Sequence, residues 1–213
     1  MYVSSSVGKT QGALVTEKKQ PRRSQADRRA ETRAKLLAAA RALFVELGFA
    51  DTATPDIVRK AGVTRGALYH HFKDKTDLFR ALAEEEAQAI SAHIDRETRN
   101  ITDPERAMTA GSDAFFDAML VPGRVRLLME EAPAVLGHSA AVALTRANGS
   151  EELRDGLKKA LPNHTLGHID ALTNLLSAAF DRAALEIVYG GDLATYKEAM
   201  HQLVGEVLKG EAH

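Results

Sequence analysis

Cysteine and tryptophan are both missing from the 213 residues. Without cysteine there is no disulfide framework, thiolate zinc site, iron–sulfur cluster or cysteine nucleophile. No apolar run approaches the roughly 18 residues that span a bilayer. The first 19 residues lack the apolar core of about 7 residues that a secretory signal requires. A cytoplasmic protein without membrane contact is the expectation. Also missing are a phosphate-cradling glycine loop, an HExxH motif and a Ser–His–Asp arrangement. No catalytic residue, metal or cofactor is therefore assigned, and an enzyme is not expected. His164 and His168 stand four apart and could share a metal, but solvated or capping roles fit them better.

Charge of one sign is lacking only in the total. The net charge is −1, yet residues 1–80 hold 16 Lys/Arg against 8 Asp/Glu, and residues 81–213 hold 12 against 21. A basic front on an acidic back suggests that the front faces a polyanion. A basic tail that merely solvates itself would give a similar excess. Residues 1–28 have no hydrophobic period and read as a flexible basic arm.

Beyond the arm, strand-like alternation is absent and apolar residues recur at three and four, so an all-α fold is expected. The spacing predicts a first helix over residues 29–47, stopped at Gly48 by a left-handed turn. Thr54 is expected to cap a short second helix with Pro55 at its first position. Gly62 ends that helix and Thr64 caps a third, over residues 65–72. Asp74 caps a fourth that reaches about residue 99, with Asp77 closing a capping box. Asp103-Pro104 opens a fifth. Breakers then divide the chain into short segments: 124–131, stopped by Pro133; 139–147; and 151–161, capped by Ser150. Two long helices, about 165–189 and 193–209, complete it.

Residues 54–72 have helix–turn–helix spacing, which alone also describes an ordinary helical hairpin. The surrounding motif is more specific. Leu43-Phe44 and Gly48-Phe49 precede Thr52, Thr54 and Ile57-Val58. Then come Ala61-Gly62-Val63-Thr64-Arg65-Gly66-Ala67-Leu68-Tyr69-His70-His71-Phe72, Lys75 and Leu78. Over about residues 30–80 this resembles the DNA-binding domain of the TetR family of transcriptional regulators. The resemblance implies a three-helix DNA-binding domain, residues 29–75, and a larger helical ligand-binding and dimerisation domain, residues 76–213. It implies a ligand-responsive regulator, most simply a repressor, with a double-stranded operator, a small-molecule effector and a second copy of the chain as partners. Ala53 departs from the pattern where a hydroxyl residue is usual.

The expected DNA-facing residues are Thr54, Thr64, Arg65, Gly66, Ala67, Tyr69, His70, His71 and Lys75. Thr64 and Tyr69 offer hydroxyls to phosphate. Arg65 can fork onto guanine O6 and N7 or onto a phosphate. Gly66 permits close approach of the backbone, Ala67 presents a methyl to thymine, and His70 reads a base or a phosphate. By resemblance, His71 and Lys75 contact phosphate. Leu68 and Phe72 are assigned to the core.

In the back half, Phe115, Phe116, Met119, Leu127, Leu128, Met129 and Phe180 are candidates to line a ligand cavity, though plain core packing accounts for each taken singly. His138 and Asn174 are candidate polar anchors for a mainly apolar effector. The last two helices look too apolar for one chain to cover, so Leu172, Leu176, Phe180, Ala183, Tyr196, Met200, Leu203 and Val207 are the expected dimer interface. A helical enzyme or carrier with a vestigial DNA domain, or an architectural DNA binder without a pocket, remain as rivals.

Overall fold

A computed structural model of the chain describes Met1, residues 24–145 and residues 149–209. The expected arm lies mostly outside the described residues. Those residues contain ten α-helices and no strand: α1 (Gln25–Leu47), α2 (Thr54–Ala61), α3 (Arg65–His71), α4 (Lys75–Thr98), α5 (Pro104–Met119), α6 (Ala132–Leu136), α7 (His138–Thr145), α8 (Glu151–Ala160), α9 (Leu166–Val188) and α10 (Leu193–Lys209). The all-α expectation holds, with a small N-terminal helical unit and a larger C-terminal one.

Helix ends follow local chemistry, with several corrections. Ser24 and Asp27 close a reciprocal capping box, so α1 begins at Gln25, ahead of the expected residue 29. Gly48 ends it at φ 87° and ψ 166°, a positive φ but not the left-handed helical turn expected. Thr54 does not cap α2. Ala53 occupies the cap position without a side-chain hydrogen bond, and Thr54 is the first helical residue. Gly62 adopts the left-handed turn at φ 65° and ψ 33°, which reverses the chain into α3 without steric cost. Thr64 Oγ1 accepts from the Ala67 N–H at 3.2 Å, as expected of a cap. Asp74 caps α4, but the Asp77 carboxylate takes the Lys73 N–H at 3.0 Å, so the box with Asp74 stays open.

Pro133 does not stop its segment. Residues Arg126–Glu131 form a π-helical turn that runs directly into α6. The Ala132 N–H reaches back to Leu127 O, and the wide turn accommodates the proline ring and its missing donor. Ser150 makes no cap bond, because its hydroxyl pairs with Ser177 Oγ at 3.0 Å. The last helix runs over the residues expected, with Asp192 accepting from the Thr195 N–H.

One continuous apolar core extends from Leu36 to Val204. Within it stand two clusters of three phenylalanine rings. Phe44, Phe49 and Phe79 meet at centroid separations of 5.3–5.6 Å in the N-terminal unit. Phe115, Phe116 and Phe180 meet at 5.2–5.7 Å in the C-terminal one. Helix α4 belongs to both units. At 24 residues it is about 36 Å long. Midway along it, buried Glu86 accepts from Arg41 Nε of α1 at 2.7 Å and from Arg124 Nε at 2.6 Å. Arg124 also donates to Ala118 O at 2.6 Å. Burial alone would raise the Glu86 carboxyl, but the two guanidinium groups outweigh it and hold the group below its ordinary range.

Candidate nucleic-acid interface and ligand cavity

Helix α3 divides its residues cleanly between core and surface. Leu68 is fully buried and Phe72 nearly so, and α3 packs on α1 and α2. Thr64, Arg65, Gly66, Tyr69 and His70 are exposed, while Ala67 and His71 are half-buried. The Arg65 guanidinium lies 5.5 Å from the Tyr69 ring centroid, which limits the rotamers it must give up on binding. No heavy atom comes nearer than 4.0 Å to the Cβ position of Gly66, so that stretch of backbone is open to a surface. Thr54 is half-buried at the start of α2. Arg65, Gly66, Tyr69 and His70 share the exposed side of the helix, and Thr64 is exposed at its N-terminal end.

Lys75 is placed otherwise. Its ammonium donates to Phe49 O at 2.7 Å and Thr52 O at 2.9 Å, and lies 4.2 Å from the Phe49 ring centroid. It ties the loop between α1 and α2 to the start of α4, a structural role beside the phosphate contact expected of it. Two cations were missed. Arg29 and Arg33 of α1 lie close enough to His71 to act on it. Burial, then His70, Arg29 and Arg33, hold the His71 imidazole below its usual value. Arg33 also sits 5.7 Å from the Phe72 ring centroid. The basic excess of the front half was the available signal, but sequence spacing could not show that α1 meets the end of α3.

A cavity of about 370 Å³ opens between α4, α5, α8 and α9. Of the expected lining residues, Phe115 and Phe180 do face it. Phe116, Met119, Leu127 and Leu128 are core residues packed away from the space, and Met129 lies beside the same core. His138 is exposed at the start of α7, and Asn174 faces a separate cleft with Arg154 and Asp170. The wall of this cavity also includes Ile94 and Thr98 of α4, Met108 and Ser112 of α5, Glu152 of α8 and Asp181 of α9. Neither His138 nor Asn174 borders this cavity, and its wall carries acidic groups beside the apolar ones. His164 and His168 stack at 4.7 Å, and among the described residues no group of three or more potential metal ligands occurs.

The residues expected at the dimer face differ in exposure. Leu176, Phe180, Ala183 and Met200 are only 3–6% exposed within their own chain, and Leu172, Tyr196 and Val207 are partly covered. Leu176, Phe180, Ala183 and Met200 therefore have little surface left to offer a second copy, while Leu172, Tyr196 and Val207 keep part of theirs. Leu203, at 42%, is the expected residue that stays outside. It shares the surface with Leu175, at 69%, and with exposed Ala171, Ala178 and Ala199. Among the described residues no helix is long and apolar enough to cross a membrane.

This arrangement has close counterparts. The sequence profile for bacterial regulatory proteins of the tetR family matches residues 36–82, and that for the tetracyclin repressor-like C-terminal domain matches residues 106–211. The HTH-type transcriptional regulator AcrR of Shigella flexneri is 36% identical over 101 residues, covering 47% of each chain. The chain thus spans about half the length of that relative. The transposon Tn10 TetC protein of Escherichia coli is 27% identical over 76% of this chain and 83% of its own. A crystal structure of a TetR-family transcriptional regulator from Pectobacterium atrosepticum superposes with a TM-score of 0.67 at 29% identity, covering 88% of this chain and 97% of that one.

Proposed function

The chain belongs to the tetR family of bacterial regulatory proteins, and from that premise we propose that it holds an operator as a homodimer and releases it when a small molecule fills the cavity. The observation that carries this reading is the course of α4. Its first residue, Lys75, bonds the loop that leads into α2, and its last turns, from Ile94 to Thr98, wall the cavity. A guest that displaces the far end of α4 acts on the reading unit through one continuous helix. The π turn offers a second connection: Arg126 donates to Val45 O at 3.1 Å and Glu131 accepts from the Phe49 N–H at 2.7 Å.

Two copies of α3 entering successive major grooves must stand about 34–36 Å apart. A guest changes that spacing only if it binds the two arrangements with different affinity. The exposed stripe of Leu175, Leu203, Ala171, Ala178 and Ala199 suits a second copy of the same chain. Its alanines let helices approach closely, and its leucines supply area to bury.

Selection of bound sequences from a random DNA pool tests the reading. It should return an inverted repeat, bound by a dimer in sedimentation, and Leu175→Glu should abolish dimer and repeat binding together. A pool that yields no enriched sequence, or an operator held by a monomer, overturns it.

A further inference from the structure

The cavity wall is polar in a particular way. Ile94, Met108, Phe115 and Phe180 form its apolar part, while Glu152 and Asp181 reach the same space from α8 and α9. Glu152 accepts from the Ser91 hydroxyl through Oε1. Its other oxygen, Oε2, is buried with no hydrogen-bond partner. A buried acceptor left unmatched is costly, and more so when it carries charge.

Asp181 shows no cationic partner among the described residues, and burial pushes its carboxyl up to about 6. The other acidic groups of the wall have partners: Asp95 bonds Arg99 at 2.5 Å and Asp155 bonds Lys158 at 3.2 Å. Lys159 also borders the space but is exposed, and α5 contributes no charge to it. Two carboxylates thus face the space without a matching cation inside. Beside them the Phe115 and Phe180 rings, 5.2 Å apart, present π faces that attract positive charge.

We propose that the cavity takes an organic cation, its amine or ammonium head held by Glu152 and Asp181 and its apolar body packed against Phe115 and Phe180. As the identity of the effector, this rests on the ligand-release reading above. A turn of the Glu152 carboxylate toward the space lets the head supply the donor that the buried Oε2 lacks. An anion of the same shape meets two like charges and is refused. The volume of about 370 Å³ falls at the small end of the roughly 300–1,000 Å³ usual for ligand pockets, which favours a compact amine over a bulky multi-ring cation.

Calorimetry on the full chain with 4-phenylbutylamine, 4-phenylbutanol and 4-phenylbutyrate tests this, since the three differ mainly in the charge of the head. The amine should bind about tenfold or more tighter than the alcohol, as expected for a charged hydrogen bond, and the acid more weakly than either. Glu152→Gln and Asp181→Asn should each remove most of that preference, weakening the amine far more than the alcohol. Equal binding of amine and alcohol, or a preference that survives both substitutions, overturns the proposal. Operator binding, followed in the same samples, separates the two readings. An amine that binds selectively without loosening the operator supports the cation site and breaks the effector reading. Release by the alcohol and not by the amine keeps the effector reading and overturns the cation site.

Discussion

The two phenylalanine triads do opposite things. Phe44, Phe49 and Phe79 are closed over by α1, α4 and the loop that Lys75 holds, and Phe44 and Phe79 are fully buried. Phe115 and Phe180, by contrast, have one side on a cavity of about 370 Å³ whose wall carries unmatched carboxylates. The same ring chemistry therefore builds a fixed reading unit at one end and an incompletely filled one at the other. A reading unit must hold its side chains in place, because base recognition depends on geometry. A sensing unit must leave something unsatisfied for a guest to complete.

The strongest way to break the comparison is at the joint between the units. Glu86→Ala leaves Arg124 buried without its counter-charge and should cost about 3–5 kcal/mol, read as a fall of roughly 10 °C in the unfolding midpoint. Because the folded Glu86 carboxyl is held below its ordinary value, its contribution is complete above the usual carboxylate range. It is lost as pH falls through the folded value, so wild type and Glu86→Ala should converge in acid.

Within the reading unit, Arg65→Ala should cost about 1–3 kcal/mol at one base pair per half-site in a binding assay with substituted operators. An equal loss on every sequence would make Arg65 a phosphate anchor instead. Lys75→Met removes the donor to the Phe49 and Thr52 carbonyls and should lower thermal stability by about 1–3 kcal/mol. A change confined to the salt dependence of DNA binding, about one unit of slope, would restore it to the phosphate contacts.

In the sensing unit the sign reverses. Burial raises Asp181 from 3.8 to about 6, so the unfolded chain ionises it before the folded one does. Above pH 6 wild type bears the full cost, so Asp181→Asn should stabilise the unliganded protein by up to about 3 kcal/mol at pH 7. The gain should shrink through pH 6 and vanish below about pH 4. Ala107→Phe, which fills the cavity from α5, should block the guest. It should change stability by less than about 1 kcal/mol and leave operator affinity near that of wild type. Loss of operator binding with guest binding intact would place Ala107 in the structural core.

The same division governs what the sequence made legible. Helix α3, its Thr64 cap and the Gly62 turn were readable because neighbouring residues determine them. Gly66, Tyr69 and His70 stood in a dense motif, and their exposure followed from the buried register of Leu68 and Phe72. The C-terminal unit depended on long-range packing. Helix α9 is apolar around much of its circumference, so periodicity could not decide whether Leu176 or Leu175 turns inward. Phe116 and Met119 have the size and softness of cavity-lining residues, but these are also the properties of core residues, and the core is where they lie. Glu152 drew no notice because nothing in a sequence shows that one of its oxygens is buried without a donor. Pro133 misled for a local reason: a π turn lets a helix absorb it.

The claim that α4 couples an unfilled sensor to a fixed reader is tested most directly by measuring the linkage from both sides. Operator affinity is determined with and without saturating 4-phenylbutylamine, and amine affinity with and without saturating operator. Coupling through α4 predicts that each ligand weakens the other by the same factor, within the roughly 5–150-fold range of allosteric coupling. Equal amine affinity for free and operator-bound protein would contradict it.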